Sequence, residues 1–237
     1  MINNQIVCGI IGGLGPSATA DLYQLIIKHS KAAKDQDHLR LLIDSNPQIP
    51  DRTAAILHGG ESSAPQMIES ARLLETAGAD YLAVPCNTAH YFIPEVEKAV
   101  KIPFINMIEE TAKLIRSLGY TKAGLLSTSG TAKTGIYQDT LSALEIETII
   151  PTEMDIAKEM EAIYGEQGIK AGKDFEKSAH NKTLFSEVIS ALKKQGAQCI
   201  IMGCTEIPLC LEAKDSPLPL INPTEVLAKA IITRSRS

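Results

Sequence analysis

The sequence predicts an α/β protein made of two similar parallel-sheet domains related by a pseudo-twofold axis, with its site in the interdomain cleft. Three observations carry this. Short apolar runs alternate with amphipathic helical patterns along all 237 residues, which is how strands and covering helices of a parallel sheet read. "AGADYLAV" and "QGAQCIIM" each put a glycine behind a helix and ahead of a strand, as a helix terminus requires. Three segments recur in the same order: "GIIGGLGPSAT" matches "GLLSTSGTAKT" 115 residues on, "AGADYLAVPCNT" matches "QGAQCIIMGCTE" at 118, and "IPFINMIEETAKLI" matches "LPLINPTEVLAKAI" at 116. One such pair is chance; three at nearly one offset indicate an internal duplication.

Strands are expected where apolar runs stop at Gly, Pro or polar turns: Ile6–Ile11, Leu39–Asp44, Tyr81–Val84, Phe104–Asn106, Ala123–Ser127, Glu147–Ile150, Cys199–Met202 and Leu220–Asn222. Helices are expected over Ala18–Lys34, Ser63–Ala77, Ile108–Leu118, Thr134–Leu144, Asp155–Tyr164, Asn181–Gln195 and Thr224–Thr233. The last strand and helix match the segment leading into the second half. They are therefore expected to return to the first domain, giving residues 1–104 plus 209–237 as one domain and 105–208 as the other.

Composition narrows the function. The hydrophobic fraction is 44% and the charged fraction 22%, ordinary for a soluble globular chain. A net charge of −5, aromatics at 4% and no Trp argue against nucleic acid or an acidic membrane surface as partner. No apolar run reaches the roughly 20 residues of a membrane helix, and "MINNQIVCGIIGG" reads as a first strand rather than a signal peptide. Five cysteines without a CxxC fit a reduced, cytoplasmic protein better than a disulfide scaffold.

Two cysteines stand out. Cys86 in "VPCNTAH" and Cys204 in "GCTEIP" each follow a strand directly, and the duplication pairs them. Ligands of open parallel sheets bind beyond the carboxyl ends of strands. A metal site would want more ligands, and the five histidines show no such spacing. A disulfide would be reduced in the cytosol. A single nucleophilic cysteine leaves its duplicate unexplained. Racemisation alpha to a carboxylate uses both, because a proton leaves one face of the carbon and another returns to the opposite face. A free thiol with a pKa of about 8.5 can serve as either acid or base. Charge developing on the substrate carboxylate then needs fixed donors. Asn87, Thr88 and Thr205 beside the cysteines, Thr128 and Thr131 in "STSGT", and the "GGLGP" turn with Gly13 can supply them. That turn is neither GxGxxG nor GxxxxGK[ST], so nucleotide binding is weakly indicated.

Together, "GGLGP", "NPQIPDRT", "VPCNTAH", "STSGT", "IYGEQGIKAG" and "GCTEIP" resemble the aspartate racemases of the aspartate/glutamate/hydantoin racemase superfamily, in family order over nearly the whole chain. The resemblance implies no pyridoxal phosphate or other cofactor, no metal, Cys86 and Cys204 as the acid/base pair, and a homodimer. It also implies that Arg52 and Lys170 contact the substrate, the guanidinium being suited to a carboxylate. It argues against a plain glutamate racemase, a branch with a "DSG"-type turn and a His where Glu206 stands here.

Cys8, Cys199 and Cys210 read as buried structural cysteines, the first two in strands and the third at a helix start. Asn87, Thr88 and Thr205 could also cap helices, and His90 reads as packed rather than as a base. The expected function is racemisation of aspartate. The rivals are a glutamate or broad-specificity racemase or related isomerase on the same scaffold, and a non-catalytic module that binds dicarboxylates without needing either thiol.

Overall fold

A computed structural model of the chain describes residues 6–172 and 177–236. The chain divides into two compact units. One runs to Glu110 and resumes at Thr224; the other runs from Thr111 to Pro223. The first holds β1 (Cys8–Gly12), β2 (Leu41–Ser45), β3 (Tyr81–Ala83) and β4 (Phe104–Ile105) in one parallel sheet of order β2-β1-β3-β4. The second holds β5 (Lys122–Ser127), β6 (Glu147–Ile149), β7 (Cys199–Gly203) and β8 (Leu220–Ile221) in the order β6-β5-β7-β8. The two orders are the same once the second set is renumbered, which is the duplication read from the sequence.

The central strands β1 and β7 are buried along their whole length. Helices cover both faces of a parallel sheet, so such strands carry almost no polar side chains. α1 (Pro16–His29) and α11 (Pro223–Ser235) cover one face of the first sheet, where Leu22, Ile26, Leu227 and Ile231 bury against Ile10 and Tyr81. α3 (Ala64–Thr76) and α4 (Ile93–Glu97) cover the other through Met67, Leu74 and Val96. In the second unit α8 (Glu153–Tyr164) and α9 (Ala179–Lys194) bury Ile163, Phe185 and Leu192 against Leu126 and Ile200. Fully burying each such side chain contributes about 1.5–3 kcal/mol. Repeat-related glycines make room for this packing. A Cβ on Gly9 would come within 3.1 Å of Leu74 Cβ, and one on Gly124 within 3.2 Å of Leu192 Cβ.

The structure departs from the sequence reading at several points. β8 does not return to the first unit. It pairs with β7, Ile200 opposite Leu220 and Ile201 opposite Ile221, because buried β7 needs its second ladder satisfied. Only α11 lies with the first unit, where Tyr81 Oη donates to the Ile231 carbonyl (3.1 Å) and shares a hydrogen bond with Ser235 Oγ (2.6 Å). The helix expected over Thr134–Leu144 is α7 (Ile136–Ser142), preceded by a short α6 (Ser129–Thr134) that the sequence reading did not include; Gly135 between them takes a left-handed φ of 77°. α2 (Arg52–Leu57) was not anticipated; Asp51 Oδ1 caps it by accepting from the Ala54 N–H at 2.8 Å. Cys210 ends α10 (Ile207–Cys210) rather than starting a helix. No helix among the described residues is long and apolar enough to cross a membrane. α5 (Met107–Ser117) follows β4.

Candidate active site

In the first unit the segments after β1, β2 and β3 hold the expected residues. The turn after β1 depends on Gly13, which has φ +89° and lies so close to Asn46 that a Cβ would sit 2.4 Å from its carbonyl carbon. Thr19 Oγ1 accepts the Gly13 N–H at 2.9 Å, which fixes the turn over the start of α1. Arg52 heads α2 and is 92% buried by its 8% exposure. Its Nη2 donates to the Leu14 carbonyl at 3.0 Å and its Nη1 to Pro50 and Ile49 at 3.1 and 3.3 Å. The guanidinium thus ties the β1 turn to the β2 loop, with a fixed charge at the strand ends. Sequence reasoning placed it in a loop; the Asp51 cap makes it the first residue of a helix.

Cys86 follows β3 as a buried, reduced thiol. Its own N–H closes a tight turn onto Val84 O at 2.9 Å. Asn87 and Thr88 are buried beside it at the start of a short 3-10 turn, Thr88–Phe92. His90 lies in that turn. Its Nδ1 is 2.8 Å from the Cys86 carbonyl, and its Nε2 accepts the Met107 N–H at 3.1 Å. These two contacts assign the Nδ1–H tautomer. Burial lowers the imidazole pKa to about 4, against the pull of the Cys86 and Asn87 carbonyls.

In the second unit Thr128 follows β5 and caps α6, its Oγ1 accepting the Thr131 N–H at 3.3 Å and lying 3.3 Å from Thr131 Oγ1. Both threonines are buried. The Ser129 N–H between them rests on Met160 Sδ at 3.3 Å. Cys204 follows β7 directly, also buried and reduced. Its Sγ–H donates to Glu206 Oε2 at 3.1 Å, and Thr205 Oγ1 donates to the same oxygen at 3.3 Å. Glu206 Oε1 binds Lys170 Nζ at 2.5 Å. Lys170 stands in a 3-10 turn, Ile169–Ala171, with its ammonium 5.5 Å from the Tyr164 ring centroid. Burial holds the Cys204 thiol well above its ordinary pKa; the Glu206 carboxylate adds to this and Lys170 opposes it.

Within each unit the expected residues therefore collect at the carboxyl ends of strands. In the first these are Gly13, Arg52, Cys86, Asn87 and Thr88; in the second, Thr128, Thr131, Lys170, Cys204, Thr205 and Glu206. Lys170 reaches Glu206 through an ion pair the sequence did not suggest, since 36 residues separate them.

Sequence reasoning also missed Glu159. It is fully buried on α8, and neither carboxyl oxygen has a hydrogen-bond partner among the described residues. Burial holds its carboxyl well above the usual carboxylate range, and the nearby Asp155 charge adds to the rise. The signal was present: Glu159 interrupts the apolar stripe of Ile156 and Ile163.

The comparisons with known proteins agree on the family. Residues 11–231 match the family described as Asp/Glu/Hydantoin racemase. A broad specificity amino-acid racemase of Bacillus subtilis (strain 168) is 30% identical over 95% of this chain and 96% of its own length. An aspartate racemase structure from Picrophilus torridus superposes with a TM-score of 0.84 at 30% identity, covering 98% of this chain and 94% of that one. An aspartate racemase homologue from Pyrococcus horikoshii OT3 gives 0.76 at 25% identity, covering 97% and 99%. With the family match spanning both sheets and every segment that carries a site residue, this chain belongs to the Asp/Glu/hydantoin racemase family.

Proposed function

We propose that the protein racemises aspartate without a cofactor, with Cys86 and Cys204 as the two acid/base groups on opposite faces of the α-carbon. The observation that carries the reading is their equivalent placement. Cys86 lies just past β3 and Cys204 just past β7, the strands beside the central first strand in each sheet. A reaction that takes a proton from one face and returns one to the other needs two such groups.

Their surroundings suggest which starts as the acid. Cys204 donates its proton to a carboxylate already paired with Lys170. A thiolate there would face like charge at 3.1 Å, so Cys204 rests as the thiol. The Cys86 thiolate then takes the α-proton, and Cys204 delivers its own to the other face. Each turnover leaves the protons exchanged between the sulfurs. Reverse turnover or exchange with solvent restores them. Negative charge on the substrate carboxylate is met by Asn87, Thr88, Thr128, Thr131 and Thr205 with the Gly13 turn, and Arg52 and Lys170 supply positive charge. The homodimer implied by the resemblance and the cytoplasmic location read from the cysteines belong to the same proposal, and light scattering on the purified protein checks the first.

A broad-specificity racemase is the second reading. It is favoured by the Bacillus subtilis relative, which is as similar in sequence as the aspartate racemase structure. One experiment addresses both. Purified protein is incubated with single L-amino acids in deuterated water, with no cofactor added, and followed by optical rotation and α-hydrogen exchange. Exchange and loss of rotation with aspartate well above all others are expected; equal rates across neutral and acidic amino acids favour the second reading, and no exchange with any ends both. Cys86→Ala and Cys204→Ala should each lower the aspartate rate by about 10²–10⁴-fold. Near wild-type racemisation by either variant overturns the two-thiol assignment.

A further inference from the structure

We infer that His90 is a positioning residue for the Cys86 thiol, its neutral imidazole holding the Cys86 backbone between β3 and the first turn of α5. The inference rests on the reading that Cys86 is a reacting group. It adds a residue that this reading did not need.

Cys86 sits on a short buried segment between β3 and the 3-10 turn. Its N–H closes onto Val84, which sets the turn. Its carbonyl, four residues before the imidazole, accepts from His90 Nδ1–H at 2.8 Å. The other ring nitrogen takes the Met107 N–H at 3.1 Å. That amide is one of the donors that a helix start leaves without an intrahelical acceptor. Asn106 Oδ1 accepts the next two, from Ile108 at 2.9 Å and Glu109 at 3.3 Å. The ring is thus a rigid spacer between the Cys86 turn and a helix, and it is buried. It cannot act as a base, since both nitrogens are engaged. It fixes ψ of Cys86 and so the direction of the Cα–Cβ bond that aims the sulfur. In proton transfer at carbon a misplacement of about 1 Å costs on the order of 10²-fold in rate.

Three variants separate the contacts. His90→Phe fills the space and removes both bonds. His90→Asn puts an amide near Nδ1 and can still donate to the Cys86 carbonyl. His90→Gln puts one near Nε2 and can still accept from Met107. Two readouts apply: kcat and KM for aspartate, and the ratio of Cys86 to Cys204 carbamidomethylation by iodoacetamide, resolved by peptide mass spectrometry across pH 6–9. For His90→Phe a fall in kcat of about 10- to 100-fold with KM within about twofold is expected, with a changed alkylation ratio. His90→Asn should recover more of both than His90→Gln. A folded His90→Phe with wild-type kcat and an unchanged ratio overturns the inference, as does better rescue by Gln than by Asn. If none of the variants folds, nitrogen NMR of the wild-type imidazole decides. Nδ1–H at neutral pH supports the inference, and Nε2–H or a charged ring overturns it. Racemisation that survives Cys86→Ala would sink the two-thiol reading instead, while the alkylation ratio in the His90 variants and the tautomer would still judge the His90 contact.

Discussion

Glu206 accepts from two directions at once: Lys170 Nζ lies 2.5 Å from its Oε1, and Cys204 Sγ lies 3.1 Å from its Oε2. The carboxylate therefore serves as the link between a cation 36 residues away and a thiol two residues away. Only 6% of the Glu206 side chain is exposed there, and after burial itself its charge is the next cause that holds the Cys204 thiol up.

Glu206→Gln tests that chain. It removes a negative charge that raises the Cys204 thiol and leaves Lys170, which lowers it. Cys204 should then react with iodoacetamide at lower pH than in the wild type, while racemisation falls by about 10- to 100-fold as the charge that favours the protonated acid is lost. An unchanged pH profile for Cys204 alkylation would show that Glu206 does not govern the thiol.

Arg52 offers three donors to backbone carbonyls and brings a buried charge to the strand ends. Arg52→Met should raise KM for aspartate more than for alanine, because only aspartate has a second carboxylate to lose. It should also cost about 1–3 kcal/mol in urea unfolding, the cost of leaving buried carbonyls without donors. Equal KM changes for the two amino acids would contradict a role in reading the distal carboxylate.

Glu159 gives a pH-dependent stability whose sign follows from its burial. Its folded-state pKa is raised above the ordinary 4.5, so the folded protein holds this proton where the unfolded chain has released it. Its contribution is fully present below about pH 4.5 and is lost as pH rises through the folded value. Glu159→Gln should melt higher than the wild type at pH 8, and the gap should close towards pH 5. A gap that is constant from pH 5 to 8 would mean that the carboxyl does not titrate in this range.

His90 acts in the opposite sense. Its pKa falls from 6.5 to about 4 on folding, so the unfolded chain binds the proton first as pH drops. Stability should decline between about pH 6.5 and pH 4, by up to about 3 kcal/mol. Comparison with His90→Gln isolates this slope, since glutamine carries no titrating group. A wild-type slope equal to that of His90→Gln over the same range would place the imidazole in solvent rather than in the core.

Much of the architecture was legible because it is written in local chemistry. Alternating apolar runs and helical stripes define β1, β3, β5 and β7, and the repeated segments declare that the two sheets share one plan. The motif residues Cys86 and Cys204 were legible for the same reason, each lying just past an apolar run that can only be a strand. Long-range partners were not. Nothing local says that Lys170 reaches Glu206, that Arg52 folds back onto Leu14, or that the His90 ring spans from Cys86 to Met107. β8 shows the same limit. Its sequence copies β4, yet copying does not say which sheet takes it, and the unfilled side of β7 decided that.

By itself the sequence determined the fold class, the doubled plan and the positions of the two thiols, because periodicity and strand ends depend on neighbours along the chain. Tertiary structure alone decided the ion pair beside Cys204, the tautomer of His90 and the burial of Glu159. Each depends on which groups come within hydrogen-bond reach after folding, and on how much water the packed core removes from around them.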